Sequence, residues 1–157
     1  GSYWGAPVMG LHLLGWRTVK RSEPAALAPF CFGVGVLVAM LLAWTAKSAF
    51  ALPRPSDLYA NVMAWVLVEP DSLYGFPSGH AVYIAVVVTC LWSLGPWPFR
   101  LLLLAVAAAV GWSRVALGAH FPADVVAGYL LGGACVTATR GWAVSLRRVA
   151  DRWRATQ

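Results

Sequence analysis

Three short stretches of the 157-residue chain carry residue types and spacings suited to chemistry on an anion. Six residues separate Lys47 from Arg54 and Pro55; Pro77-Ser78-Gly79-His80 reads as a turn; and five residues separate Ser113-Arg114 from His120, with three more before Asp124. An arginine offers a planar donor fork and a lysine a point charge, so Lys47, Arg54 and Arg114 together can neutralise the non-bridging oxygens of a phosphoryl group. His120 and Asp124 stand four apart at the start of an apolar run. That spacing predicts one helix face, on which the carboxylate holds the imidazole in a single tautomer and leaves the other ring nitrogen to attack. Ser78 and Gly79 immediately precede an apolar segment, which predicts an N-cap and open backbone N–H groups at a positive helix terminus, with His80 beside the bound anion. Taken singly, each residue has a plainer reading: an interfacial anchor for the cations, a satisfied histidine, a helix N-terminal charge for Asp124. Their joint occurrence favours the site.

The elements that must position these residues are membrane segments. The chain is 60% hydrophobic and only 11% charged, with 9 Trp and a mean hydropathy of +0.68, which excludes an ordinary soluble globule. A net charge of +6 would raise nucleic acid as a partner in a soluble protein, but here the charges flank apolar runs, and none is expected. Five apolar segments emerge: Tyr3 to Trp16, Ala25 to Trp44, Gly79 to Leu94, Leu101 to Trp112 and Phe121 to Thr139. The fourth reaches spanning length only when extended through Gly95, Pro96 and Pro98 at one end and Ser113 at the other. A sixth piece, Leu58 to Val68, is too short to cross and is expected to lie at the interface.

The expectation is an all-α, polytopic membrane bundle forming one domain over residues 1–157, with about five membrane helices and a short interfacial helix. Residues 141–157 form a basic tail, expected to be an amphipathic helix on anionic headgroups. Cys31, Cys90 and Cys135 sit in apolar stretches without metal-ligand spacing and read as buried hydrophobes. The tryptophans read as interfacial anchors, and His12 as structural. The chain opens Gly1-Ser2 without an initiator Met, as a cleavage scar or the interior of a longer chain would, and shows no signal-peptide pattern.

Charge sets the sidedness. Arg17, Lys20, Arg21, Arg100, Arg140, Arg147, Arg148, Arg152 and Arg154 fall on one face of this topology, which the positive-inside rule makes cytoplasmic. Lys47, Arg54 and Arg114 fall on the opposite face, together with His80, His120 and Asp124. Cations on the disfavoured face are functional candidates. The expected location is a bacterial inner membrane, with the site opening to the extracytoplasmic side.

The three stretches together resemble the three-part signature of the type 2 phosphatidic acid phosphatases, a superfamily that also holds bacterial lipid phosphatases, glucose-6-phosphatase and vanadate-dependent haloperoxidases. The resemblance covers Lys47 to Asp124 with no departure at a named position. It implies His120 as nucleophile, Asp124 as its orienting partner, His80 as general acid, and Lys47, Arg54, Ser78, Gly79 and Arg114 as phosphate ligands. It also implies six membrane helices, so five segments suggest that one upstream helix is missing from this chain. The implied activity is metal-independent and cofactor-free hydrolysis of a terminal phosphate on an amphiphilic lipid phosphate or polyprenyl diphosphate, through a phosphohistidine. The alternatives are a lipid phosphotransferase using the same intermediate, a non-catalytic lipid-binding membrane protein, and a vanadate-dependent oxidase, the last disfavoured by the membrane spans. Oligomeric state is not set by the sequence.

Overall fold

The structure, a computed structural model, describes residues 23–59 and 73–157. The apolar segment Tyr3 to Trp16, His12, the basic residues Arg17, Lys20 and Arg21, and most of the sixth apolar piece lie outside the described residues. Within them the chain is all-helical: α1 (Glu23–Phe50), α2 (Pro55–Leu58), α3 (Gly79–Leu91), α4 (Trp97–Ala116) and α5 (Pro122–Ala155).

Prolines stand in the first turn of α2, α4 and α5 and fix the start of two of them. The residue before a proline is pushed out of the helical region, whereas the proline itself suits the first helical position. Arg54 is accordingly extended (φ −86°, ψ 158°) ahead of Pro55 in α2. Phe121 is extended (φ −73°, ψ 154°) ahead of Pro122 in α5. Pro98 occupies the first turn of α4.

α1 and α4 run toward one end of the bundle, and α3 and α5 run away from it, so one end gathers the C-termini of α1 and α4 and the N-termini of α3 and α5. α3 is the central element and packs against α1, α4 and α5. Its 13 residues rise about 20 Å, short of a hydrocarbon core of about 30 Å. Ala81, Val82, Ala85, Val86, Val87 and Cys90 are all buried on it. α5 comes close because it carries glycines where the two helices touch. A Cβ on Gly128 would lie 2.7 Å from both the Ser78 carbonyl oxygen and Ala81 Cβ, and Gly132 faces the Val82 carbonyl in the same way. This is small-residue packing of the kind membrane helices use in place of a hydrophobic driving force.

The bundle wears its large apolar side chains outward. Leu37, Leu102, Trp112 and Leu130 are 69%, 59%, 74% and 69% exposed, an arrangement suited to lipid and costly in water. Among the described residues two stretches, Leu27–Leu58 and Trp97–Ala116, are long and apolar enough to cross a bilayer. The three cysteines are buried, as expected.

At the end opposite the motif residues, two arginines serve the C-terminus of α3. Arg140 donates to the Thr89 carbonyl (3.4 Å) and Arg100 to the Trp92 carbonyl (2.9 Å) while its guanidinium lies over the Trp92 ring. Cations there complement the negative helix end and leave the positive N-terminus of α3 facing the motif residues. The tail from residue 141 is not a separate element: α5 runs unbroken for 34 residues, about 51 Å.

Candidate functional site

The motif residues meet where α1 and α4 end and α3 and α5 begin. α1 stops just beyond Lys47, whose carbonyl accepts the Ala51 N–H at 3.0 Å. Ala51 sits at φ 47°, a left-handed conformation that turns the chain sharply. The following strand-like stretch pairs with the segment before α3, Gly75 N–H donating to the Leu52 carbonyl (2.9 Å), and Phe50 stacks edge-on against Phe76 at 5.4 Å. Lys47 Nζ donates to the Tyr74 carbonyl at 2.8 Å. Arg54 thereby turns inward and is 4% exposed.

Gly118 makes the equivalent turn after α4. At φ 65° it occupies the left-handed region that glycine tolerates without strain. The turn lets the Ala119 and His120 N–H groups both donate to the Arg114 carbonyl, at 3.1 and 3.2 Å. It also presents the Ala119 carbonyl to Arg54 Nη1 at 2.8 Å. The same guanidinium nitrogen lies 3.5 Å from His120 Nε2. An arginine can only donate, so this contact suits the tautomer with its lone pair on Nε2 and its proton on Nδ1, which itself makes no hydrogen bond. Nδ1 lies 3.6 Å from Asp124 Oδ2. The imidazole is 5% exposed. Burial, and then the positive charges of Arg54 and Lys47, push its pKa from 6.5 down to about 3.

Two expectations are corrected in detail. His120 and Asp124 do not share a helix face: His120 lies in the loop, because Pro122 holds Phe121 extended and α5 starts after it. They meet because Asp124, the third helical residue, folds its carboxylate back over the helix start, where Oδ2 accepts the Phe121 N–H at 2.9 Å. Ser78 sits at the N-cap of α3 but makes no side-chain cap bond. Its N–H is not an open donor, since it bonds the Asp124 carbonyl at 3.0 Å. Its Oγ, by contrast, is fully buried and has no hydrogen-bond partner. Gly79 and His80 form the first turn of α3, and His80 lies near enough to His120 to act on it electrostatically. Arg114 is half-buried, directs its Nε–H to Ser113 Oγ (3.2 Å), and reaches His120 through its backbone carbonyl. Among the described residues no group of three His, Cys, Asp or Glu is placed to hold a metal ion.

Gly75 escapes the motif reading. It is buried against Asp124, Pro53 and Arg54: a Cβ there would lie 3.3 Å from Asp124 Oδ2, 3.3 Å from the Pro53 carbonyl oxygen and 3.4 Å from Arg54 Cγ. The only signal in the sequence is a glycine two residues ahead of Pro77.

This fold, with this cluster at one end of the bundle, is that of a membrane phosphatase family. Residues 28–148 match the PAP2 superfamily, and the chain belongs to it. It is 36% identical over 132 residues to an undecaprenyl-diphosphatase of Sulfolobus acidocaldarius, covering 83% of this chain and 59% of that protein. It is 28% identical over 127 residues to a lipid A 1-phosphatase of Rhizobium etli, covering 76% of this chain and 54% of the relative. The chain therefore spans little more than half the length of these relatives. Its fold resembles the crystal structure of Aquifex aeolicus LpxE (TM-score 0.68, 22% identity, 89% of this chain and 78% of that one). It also resembles a transmembrane PAP2-type phosphatidylglycerolphosphate phosphatase from Bacillus subtilis (TM-score 0.67, 24% identity, 92% of this chain and 71% of that one).

Proposed function

We propose that the protein hydrolyses the terminal phosphate of an amphiphilic lipid phosphate or polyprenyl diphosphate through a phosphohistidine on His120. The observation that carries this reading is the setting of His120: buried, with Nε2 3.5 Å from the Arg54 guanidinium and Nδ1 3.6 Å from the Asp124 carboxylate. A bound phosphoryl group would draw the Arg54 fork from Nε2 onto its own oxygens, with Lys47, Arg114, Ser78 and Gly79 as further ligands.

Nε2 attacks phosphorus in line, forming the N–P bond as the bond from phosphorus to the leaving oxygen breaks. The ring gains positive charge, which Asp124 beside Nδ1 stabilises. His80 gives a proton to the departing lipid oxygen, then takes one from the water that attacks phosphorus. The N–P bond breaks, its electrons return to Nε2, and phosphate leaves. The relatives' names support a lipid or polyprenyl phosphate as substrate, and the outward apolar face of the bundle would let the lipid chain remain in the bilayer while its phosphate meets the site.

The reading further places the protein in the inner membrane with the site on the extracytoplasmic side. Arg100 and Arg140 at the opposite end support that orientation. The test is a phosphate-release screen of the purified protein in detergent, across polyprenyl diphosphate, phosphatidylglycerophosphate, phosphatidic acid and lipid A phosphates. Release from at least one, undiminished by EDTA and blocked by orthovanadate, is expected. Activity abolished by EDTA and restored by Mg²⁺ would refute the mechanism, and phosphate appearing on an added acceptor lipid in place of water would make the protein a phosphotransferase.

A further inference from the structure

α4 bears on the site at its last turn: Arg114 lies there, and the Arg114 carbonyl holds the Ala119 and His120 N–H groups. What fixes this turn relative to α5, which carries Asp124, is a side chain two turns deeper. Tyr129, on α5, donates its hydroxyl to the Ala107 carbonyl of α4 at 2.5 Å. In an unbroken helix that carbonyl is the acceptor for the Gly111 N–H, so the hydroxyl meets α4 within its own hydrogen-bond ladder.

Gly111 is what admits the ring. A Cβ there would collide with the Tyr129 hydroxyl and lie 2.9 Å from Val125 Cγ1 and 3.1 Å from Tyr129 Cζ. Arg114 follows Gly111 by three residues, less than one turn. The neighbouring positions of α5 serve the same end, since Gly128 packs on the Ser78 carbonyl and Asp124 bonds the Ser78 N–H. Three successive features of one helix thus register α3, the His120 loop and α4 against each other.

We infer that Tyr129, seated in the Gly111 notch, is a positioning residue that sets the depth and bearing of Arg114 over the phosphate site. The inference rests on the proposed phosphatase reading and adds to it a residue that lies outside all three motifs. The hydroxyl neither touches the phosphate nor moves a proton; it acts through α4.

The experiment is a double-mutant cycle with orthovanadate as the probe, read both as inhibition of phosphate release and as thermal stabilisation of the protein in detergent. Tyr129→Phe is expected to weaken vanadate roughly tenfold, the size of coupling seen between residues that act through one another, and to raise KM more than it lowers kcat. In an Arg114→Ala background the same substitution should change vanadate binding less than twofold. A merely structural role would give the same loss in both backgrounds.

Gly111→Ala supplies a second reading. It should weaken vanadate at least as much as Tyr129→Phe, and adding Tyr129→Phe, which removes the colliding hydroxyl, should recover part of the loss. The inference is overturned if the wild type is active and vanadate-sensitive but Tyr129→Phe leaves vanadate binding unchanged, acts equally with and without Arg114, or makes Gly111→Ala worse. A wild type that neither releases phosphate nor is stabilised by vanadate would remove the proposed function, and this inference with it.

Discussion

At the residue scale the site turns on the imidazole of His120. Burial and two nearby cations hold it neutral, so a lone pair stays on the ring far below the usual histidine range, as the proposed attack on phosphorus requires. The acid limb of kcat/KM, which reports the free enzyme, should therefore show no loss of nucleophile near pH 6.5 and should lie below about pH 5. The same shift has a consequence for stability. Between the folded value of about 3 and the ordinary 6.5, the unfolded chain binds a proton that the folded chain refuses, so stability rises with pH across that window and is lost on acidification through it. Melting in detergent at pH 7 and pH 4.5 should show a smaller acid-induced drop for His120→Gln than for the wild type; equal drops would contradict a buried neutral His120. Gly75 gives a second test. A methyl group 3.3 Å from Asp124 Oδ2 must displace the carboxylate or Arg54 by a few tenths of an ångström. Gly75→Ala should lower kcat/KM roughly tenfold with little change in melting temperature.

At the element scale, much was legible from residue types alone. The apolar runs mark α3 and α4 to within four residues at each end and α1 to within six, and α5 begins at the Phe121-Pro122 step. The His120–Asp124 pairing was read from helical spacing, and the pair does meet, but for a different reason: the proline that starts α5 at residue 122 excludes His120 from the helix, and Asp124 reaches back as a capping residue. The Phe-Pro step was visible in the sequence; its consequence for His120 required weighing it above the i, i+4 pattern. Gly75, Ala119 and Tyr129 were not legible. Two act through backbone carbonyls or a missing side chain, and the third makes a contact 22 residues away that no local pattern encodes. Close approach of α5 to α3 gives a sharp contrast between glycines of one helix. Gly128→Ala places a methyl group 2.7 Å from the Ser78 carbonyl oxygen and should cost about 1–3 kcal/mol together with most activity. Gly141→Ala meets nothing within 4 Å and should stabilise the helix by up to about 1 kcal/mol. Thermal melts and turnover of the two variants check this.

At the scale of the whole molecule the bundle has two chemically different ends. One gathers Lys47, Arg54, Arg114, His80, His120 and Asp124; the other caps α3 with Arg100 and Arg140 and carries the exposed Arg147, Arg148, Arg152 and Arg154 of α5. If the second end is cytoplasmic, a cysteine replacing the exposed Leu73, introduced into a cysteine-free background, should react with an impermeant maleimide on intact cells. One replacing Ser145 should react only after lysis, and the opposite pattern would invert the proposed orientation. The central claim is that His120 carries the phosphoryl group, and rapid quenching tests it most directly. Purified protein is mixed with a lipid phosphate labelled in its terminal phosphate, stopped in alkali, and counted for label on protein. The account predicts label that survives alkali, is released by acid as a phosphoramidate should be, and is absent from His120→Ala together with turnover. Undiminished turnover or equal labelling in His120→Ala would contradict it.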